Sequence, residues 1–292
     1  MTIFALILVL LSAMAHATWN FLAKRATNQE IFIWWLLVAI SALLLPVAAI
    51  LWWQNPVFYP GWWFILGTVI LHTFYFFFLG KSYKSADLSL VYPIARGLGP
   101  ALVPVLGVVV LKEVVTPLAI TGIITVIVGI YTLYWWGHLQ QILRDPFRFF
   151  RETGARYAIL TGLVIAAYSV WDKVGVSYVN PFLYMYFLAL GSALFLAPYI
   201  LRVYGIRMIQ AERKGNMSGI LIAGMLMFLA YGLILLALQF SQVSYIAPSR
   251  EVGIVLGVIL GTMILGEPFG KGRIIGSCLI VLGLVLIALQ SQ

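Results

Sequence analysis

The sequence predicts an all-α membrane protein with ten transmembrane helices in two inverted five-helix repeats. Three observations support this: the composition, a series of apolar runs, and matches between the two halves. Of the 292 residues, 63% are hydrophobic and 9% are charged, whereas a soluble protein carries about 25% charged residues. This balance excludes soluble enzymes, secreted disulfide scaffolds and disordered regulators. The single cysteine, Cys278, excludes a disulfide or a cysteine metal site within one chain.

The apolar runs are each bounded by charged residues or by clusters of Pro, Gly and Asn. A helix needs about 20 apolar residues to cross a bilayer, and no run alternates with the period of two of a membrane β-strand. The first run contains a stretch similar to a signal-peptide cleavage site, but no Lys or Arg precedes it, so we expect it to be retained. The runs, numbered spans 1 to 10, lie near residues 3–23, 31–53, 62–80, 88–111, 116–136, 157–177, 180–201, 217–239, 243–265 and 272–290.

The two halves match at one offset of 154 residues over spans 4–5 and 9–10. The matched pairs are Leu111-Lys112-Glu113 with Leu265-Gly266-Glu267, Arg96 with Arg250, Gly99 with Gly253, Gly107 with Gly261, Gly122 with Gly276 and Gly129 with Gly283. Near the start of each half, Trp19-Asn20 matches Trp171-Asp172 at an offset of 152. We therefore predict one five-span repeat over residues 1–137 and a second over 157–292.

Five spans per repeat is an odd number, so the second repeat enters the membrane upside down. Inverted repeats are typical of secondary transporters, whose binding site lies near the membrane midplane between the repeats. The linker, residues 138–156, has Arg144, Arg148, Arg151 and Arg156 among phenylalanines and is predicted to lie along the lipid headgroups as an amphipathic segment.

Positive charge is concentrated in the loops of one face. Fourteen of the 18 Lys and Arg residues lie there, and the loops of the opposite face have only Lys112 and Lys173. By the positive-inside bias this predicts both termini outside the cytoplasm. The same bias explains the net charge of +9, so we expect no nucleic-acid partner.

Three sequence elements resemble a known family. They are the Trp-Asn-Phe-Leu-Ala-Lys stretch at 19–24, the run from Lys81-Ser82 through Ala86 into span 4 with Pro93 and Pro100, and the junctions Lys112-Glu113 with Pro117 and Gly266-Glu267-Pro268. Together with the repeat length and helix count, they resemble the drug/metabolite transporter superfamily, in its ten-helix EamA-type branch.

The resemblance implies a multi-pass protein of a bacterial plasma membrane. Spans 1–4 and 6–9 would line a central cavity, with spans 5 and 10 at the periphery. Family members move amino acids, nucleobases, sugar derivatives, quaternary amines or drugs. Ten-helix members usually have cytoplasmic termini, which is the reverse of the orientation that the loop charges predict.

Two arginines are predicted inside the membrane. Arg96 and Arg250 lie about eight residues into spans 4 and 9, or ~12 Å deep at 1.5 Å per residue. An ionisable group costs roughly +2.5–3.5 kcal/mol at the centre of a span, which makes it a functional candidate. Two such guanidinium groups suit bidentate capture of a carboxylate or phosphate. Alternatively, each arginine pairs with Glu251, a carbonyl or a helix end.

Two carboxylates are candidates for coupling or gating. Glu251, whose counterpart in the first half is Gly97, either pairs with an arginine or binds a proton during transport, and we favour the pairing. Asp172 is the second candidate, although it could simply form an interfacial pair with Lys173.

Polar and aromatic side chains recur with helical spacing and are predicted to face the cavity, because positions i, i+3 and i+4 share one helix face. Gly253, Gly257 and Gly261 form a ridge that serves either static packing or sliding between helices. Pro93, Pro100, Pro104 and Pro248 favour kinks. The cavity candidates are His16, Trp19 and Asn20; His72, Tyr75 and Phe76; Tyr168, Trp171 and Asp172; and Tyr92 and Tyr245.

We therefore expect a secondary transporter of a small polar metabolite, anionic or zwitterionic, working by alternating access. A transporter of quaternary amines or lipophilic cations, held by aromatic faces, is the first alternative. A lipid-handling membrane protein or enzyme is the second. Motifs for ATP, metal and enzyme chemistry are missing from the sequence, so we expect no cofactor, no metal and no catalytic residue. The sequence leaves two points undetermined: whether a proton or another ion is coupled to transport, and whether the protein is a monomer or a homodimer.

Overall fold

The computed structural model describes residues 1–85, 88–136, 152–265 and 270–289. Within these ranges the chain is helical, without a β-strand, which confirms the predicted all-α class. In chain order the helices are α1 (Ile3–Lys24), α2 (Gln29–Leu43), α3 (Leu45–Gln54), α4 (Gly61–Ser85), α5 (Leu88–Leu111), α6 (Pro117–Trp135), α7 (Thr153–Gly175), α8 (Pro181–Phe240), α9 (Val243–Ser249), α10 (Val252–Leu265) and α11 (Lys271–Ala288).

The helix starts follow from local sequence. Thr2, Asn28, Thr116 and Asn180 each precede a helix and accept a hydrogen bond from a backbone N–H of its first turn. Such side chains satisfy donors that have no partner within the helix. In α6 and α8 a proline follows this cap directly, where its missing N–H is not needed.

Seven of the described helices are long and apolar enough to cross a membrane: α1, α4, α5, α6, α7, α8 and α11. The pair α2 and α3 forms an eighth candidate, bent by 56° at Leu44. Pro46 stands in the first turn of α3 and has no N–H to continue the ladder of α2. Large apolar side chains such as Trp53 and Met263 are exposed on the outside, as expected for surfaces that meet lipid.

Spans 7 and 8 differ from their prediction, because the predicted loop between them is largely helical. The 60-residue α8 covers both and departs from helical angles only at Gly205, with φ of 67°, and at Asn216. Between these points, Glu212 accepts hydrogen bonds from Asn28 N and Asn216 Nδ2 at 3.0 and 2.8 Å. This buried carboxylate holds the connecting segment against the start of α2.

Span 9 is broken at the position of its charges. Helix α9 ends at Ser249 and α10 begins at Val252, so Arg250 and Glu251 lie at the junction. Pro248 lies just before the break and cannot donate a backbone hydrogen bond, which agrees with the predicted kink.

The second half begins earlier than predicted, since α7 starts at Thr153 and not near residue 157. Residues 137–151, which hold most of the predicted amphipathic linker, lie outside the described residues.

The repeat-related helices α6 and α11 pack antiparallel through glycines. A Cβ atom at Gly122 would lie 2.8 Å from Gly283 O, and one at Gly129 would lie 2.9 Å from Gly276 O. The 154-residue offset relates Gly122 to Gly276 and Gly129 to Gly283. Applied to both partners of one contact, it gives the other contact. The two halves therefore contribute equivalent surfaces to this contact.

Candidate functional site

A small cavity of about 40 Å³ lies between α1, α4, α7 and α8, and Arg250 at the α9–α10 junction completes its wall. A water molecule needs about 10–15 Å³, so this cavity has room for only a few waters. Six of the sequence-predicted site residues line it, namely His16, Trp19, His72, Tyr75, Tyr168 and Arg250. Phe76, from the same predicted stripe, also lines it. The remaining lining residues are Ser12, Met185, Leu188, Met227, Ala230, Tyr231 and Ile234.

The predicted pair of arginines is separated by its partners. Arg96 Nε lies 3.5 Å from Glu251 Oε2, and both side chains are buried. Arg96 is therefore committed to an ion pair, as favoured for Glu251, and it does not line the cavity. Arg250 does line the cavity, with its guanidinium carbon 5.8 Å from the ring centre of Tyr231. The two arginines therefore do not form a shared binding site for one anion. Arg96 is paired with the opposite charge of Glu251, as a buried charge requires.

His16 connects the cavity wall to the ion pair. Its Nδ1 lies 3.2 Å from Trp19 Nε1, and its Nε2 lies 3.3 Å from an Arg96 terminal nitrogen. A neutral imidazole has one acceptor nitrogen, so His16 accepts from either Trp19 or Arg96 in a given tautomer.

His72 packs into the opposite wall. Its ring stacks on Tyr168 with ring centres 4.2 Å apart. Its Nδ1 lies 3.0 Å from both the hydroxyl and the carbonyl oxygen of Thr68. These contacts hold the ring in place in the cavity wall.

Asp172 lies behind this wall and is fully buried. Tyr184 donates a hydrogen bond to its Oδ1 at 2.8 Å, and Tyr231 donates a short one to its Oδ2. The suggested pair with Lys173 is wrong, because Lys173 donates to the carbonyl oxygens of Leu238 and Ser241 at the end of α8. The lysine caps a helix C-terminus and leaves Asp172 to the tyrosines.

Several other predicted residues lie away from the cavity lining. Asn20 donates to His16 O on its own helix. Trp171 is 36% exposed and donates to Phe64 O on α4. Tyr245 donates to Val114 O at one end of the molecule. The side chain of Tyr92 lies outside the described residues.

The predicted glycine ridge on α10 is only partly a packing contact. A Cβ atom at Gly253 would lie 3.5 Å from Ala13 O on α1, but one at Gly257 would have no neighbour within 4 Å. Gly261 lies outside the residues whose surroundings are described. The spacing therefore supports one close contact and not a continuous ridge.

A larger vestibule of about 300 Å³ lies beyond Phe76, which lines both cavities. It is formed by the loop between α1 and α2, the start of α2, the end of α4 and part of α8, with Glu30, Trp34, Phe77 and Tyr199 among its walls. Phe76 therefore stands where the vestibule and the central cavity meet.

At the opposite end, Glu113 ties the two repeats together. Its carboxylate accepts from the backbone N–H groups of Val243 and Ser244 at 2.8 and 3.0 Å, and from the Ser244 hydroxyl. A Cβ atom at Gly107 would lie 2.7 Å from Glu113 Oε2, so only glycine leaves room for this contact.

The sequence reasoning missed Tyr184, Tyr231, Met185 and Met227. Both tyrosines lie within apolar runs, and a polar group at membrane depth was the available signal. The methionines could not be singled out, because they suit any apolar helix face.

This fold and site define a class. A multi-pass helical membrane protein with two related halves, and with ionisable and aromatic groups around a central cavity, is built as a transporter. The chain belongs to the EamA-like transporter family, whose model matches residues 3–135 and 152–289. The predicted resemblance is thereby confirmed.

Individual relatives add two further likenesses. The quaternary ammonium compound-resistance proteins QacC of Staphylococcus aureus and of Staphylococcus sp. (strain ST827) are each 33% identical over 72 residues, which is 25% of this chain and 67% of the relative. A solved crystal structure covers 100% of this chain and 98% of its own, with a TM-score of 0.77 and 14% identity. That likeness concerns the fold.

Proposed function

We propose that the protein is a secondary transporter of small amphipathic carboxylates or zwitterions with an amino-acid-like head group. The substrate occupies the central cavity and reaches either membrane face by alternating access, without chemical conversion. The observation that carries this proposal is Arg250, the charged guanidinium among the aromatic and apolar residues of the cavity wall.

The proposed architecture has ten spans in two inverted repeats of a bacterial plasma-membrane protein. It counts α2 with α3 as one span, the two apolar parts of α8 as two, and α9 with α10 as one. The exchange of glycine contacts between α6 and α11 supports the inversion, because antiparallel packing of equivalent surfaces is what a two-fold axis in the membrane plane produces.

Arg250 suits a carboxylate head group for two reasons. A guanidinium donates two parallel hydrogen bonds to a carboxylate, and such bonds are strong where water is excluded. Arg96 is already neutralised by Glu251, so the positive charge on the cavity wall comes from Arg250. A phosphonate head group is also anionic and also presents oxygen acceptors to a guanidinium, so it belongs to the same proposal.

The apolar part of the cavity wall suits the substrate's body. Met185, Leu188, Met227 and Ile234 face the same space as Arg250. Methionine adapts to irregular shapes, so these residues favour an apolar side chain of varied outline. Since the cavity holds only a few waters, substrate binding has to widen it, and Phe76 is the residue between it and the vestibule.

A binding panel on the purified protein tests the proposal. We expect thermal stabilisation by amphipathic amino acids or their carboxylate analogues, and at least tenfold weaker binding in Arg250→Gln, because a charge-assisted hydrogen bond contributes about 1.5–3 kcal/mol. Arg207→Gln, at an exposed position, is the matched control and retains wild-type binding. Equal affinities for wild type and Arg250→Gln contradict the proposal.

A second candidate is the export of quaternary ammonium or other lipophilic cations. Its support is the 72-residue likeness to QacC, together with the aromatic faces of Trp19, Tyr75 and Tyr168 in the cavity. Binding of tetraphenylphosphonium separates the two candidates. The second function is favoured if Arg250→Gln binds tetraphenylphosphonium as tightly as the wild type or more tightly, and if carboxylates do not stabilise the wild type.

A further inference from the structure

We infer that Asp172 is a proton-binding site that couples proton uptake to the binding of an anionic head group at Arg250. This inference rests on the proposed function in one respect, the identity of the Arg250 ligand. The proton site itself is argued from Asp172 and its neighbours alone.

The first step is the isolation of the carboxylate. Asp172 is 0% exposed and lies in the fourth-from-last position of α7, a helix long and apolar enough to span the membrane. Within the described part of the chain it forms no ion pair, and its neighbour Lys173 is bound to carbonyl oxygens of α8. Glu251, by contrast, has Arg96 beside it. A buried carboxylate without a cation favours its neutral form, whereas a paired one stays charged.

The second step is a hydrogen-bond relay that satisfies both charge states. The Tyr184 hydroxyl oxygen lies 2.8 Å from Asp172 Oδ1 and 3.0 Å from Phe64 O. It has one hydrogen to donate. With Asp172 ionised, Tyr184 donates to the carboxylate, and Phe64 O still accepts from Trp171 Nε1 at 2.9 Å.

With Asp172 protonated, the relay runs the other way. The new O–H on Oδ1 donates to the Tyr184 oxygen, and the Tyr184 hydroxyl turns its hydrogen to Phe64 O. Asp172 Oδ1, the Tyr184 hydroxyl and Phe64 O each keep a hydrogen-bond partner in both states. Gain or loss of the proton at this relay therefore needs only rotation of the Tyr184 hydroxyl group.

The third step connects the proton to the substrate site. Tyr231 donates to Asp172 Oδ2, and its ring forms part of the cavity wall beneath the Arg250 guanidinium. The groups that face Asp172 or this tyrosine are His72 on α4, Tyr168 on α7, Tyr184 and Tyr231 on α8, and Arg250 after α9. Lys173, next to Asp172 in sequence, is bound to carbonyl oxygens of α8. Arg250 lies over the Tyr231 ring at 5.8 Å, and ionised Asp172 offsets part of its charge through a low-dielectric region.

The sign of the coupling follows. Protonation removes the negative charge of Asp172, which leaves Arg250 less compensated and strengthens its attraction for an anion. Binding of the anion in turn favours the protonated form, because linkage is reciprocal. Proton and anion therefore move together. The proton is taken from water at one membrane face and returned to water at the other, and the proton gradient is the driving force.

Infrared difference spectroscopy tests the proton site without any substrate. The purified protein is titrated between about pH 4 and 9, the range around carboxyl and histidine titration, and the C=O stretch of a protonated carboxyl group is followed. We expect a titrating band in the wild type that is absent in Asp172→Asn. The band is retained in the double variant Arg96→Gln with Glu251→Gln, which removes the other buried ion pair as a unit. A wild-type spectrum without the band, or a band that persists in Asp172→Asn, overturns the inference.

Tyr184→Phe keeps the test decisive if Asp172→Asn does not fold. Loss of the Tyr184 hydroxyl removes a hydrogen bond that ionised Asp172 accepts. That bond is stronger than the one the protonated acid donates, so we expect the band to titrate at higher pH. An unchanged titration overturns the relay. The coupling has a separate readout: carboxylate binding to wild type tightens at least tenfold from high to low pH, and Asp172→Asn binds with one affinity throughout. A titrating band without carboxylate binding contradicts the proposed function and leaves the proton site standing.

Discussion

The two halves of the protein agree where helices pack and differ where the cavity is lined. At the α6–α11 contact, Gly122 and Gly129 of the first half meet Gly283 and Gly276 of the second, with equivalent geometry. At the cavity the offset of 152 pairs His16 with Tyr168 and Asn20 with Asp172, and these residues have different partners. Duplication therefore preserved the scaffold, while the charged and polar groups became specific to each half.

The tryptophans of the repeat show the same divergence at one matched position. Trp19 is 6% exposed and lines the cavity next to His16, whereas its counterpart Trp171 is 36% exposed and donates to a carbonyl of α4. The same residue type lines the cavity in one half and makes an interhelical contact in the other. A repeat match thus indicates a shared backbone position and not a shared role.

The largest effect on stability is expected from removal of Glu251, a charge that has Gly97 as its counterpart in the first half. Glu251→Gln leaves Arg96 buried without its partner, which costs about 3–5 kcal/mol of stability. We expect a marked loss of melting temperature in detergent. The double variant Arg96→Gln with Glu251→Gln removes both charges and recovers most of the loss. A double variant as unstable as the single one would show that the ion pair is not the cause.

The α6–α11 contact that the two halves share is tested most directly by substitution of its glycines. Gly129→Ala places a Cβ atom 2.9 Å from backbone at Gly276, so we expect a loss of about 1–3 kcal/mol from overpacking. Gly257→Ala is the control, since nothing lies within 4 Å of the added atom. Its stability is unchanged or slightly higher, as alanine is the better helix former. Similar melting temperatures for the two variants would argue against the α6–α11 contact.

The smallest effects are expected at Trp19 and Trp171, where we expect substitution to change different properties. Trp171→Phe loses one hydrogen bond to Phe64 O and is expected to lose about 0.5–1.5 kcal/mol of stability, with carboxylate binding retained. Trp19→Phe is expected to alter carboxylate affinity more than stability, because its ring lines the cavity. Thermal unfolding and the binding panel together measure both quantities. If Trp171→Phe altered carboxylate affinity and Trp19→Phe altered only stability, the substrate site would lie nearer Trp171.

Much of this arrangement could be predicted from sequence, because membrane depth and helical spacing are local properties. The stripe beginning at His72 lines the cavity in full, since residues three and four apart share a helix face. The stripes beginning at His16 and Tyr168 reach it only in part, because Asn20, Trp171 and Asp172 have other partners. A pairing of Glu251 with an arginine could be predicted, but the choice of Arg96 could not, because it depends on how α5 meets the α9–α10 junction. Tyr184 and Tyr231 matter only through their contact with Asp172.

The connections between elements were harder to predict than the elements. The segment between Gly205 and Asn216 is rich in charge and was expected to be a loop, but Glu212 and its partners hold it as a helix. Similarly, the outward position of Trp171 follows from its contact with Phe64 on α4. In both cases a tertiary contact decided what local sequence left undetermined.

The central claim is that Arg250 binds the carboxylate of the transported molecule. The most direct measurement compares the best carboxylate from the binding panel with its methyl ester, each against wild type and Arg250→Gln, by calorimetry. We predict that Arg250→Gln weakens binding of the carboxylate at least tenfold and does not weaken binding of the ester, since the ester has no negative charge for the guanidinium to recognise. Equal losses for both ligands, or no loss for the carboxylate, would contradict the account.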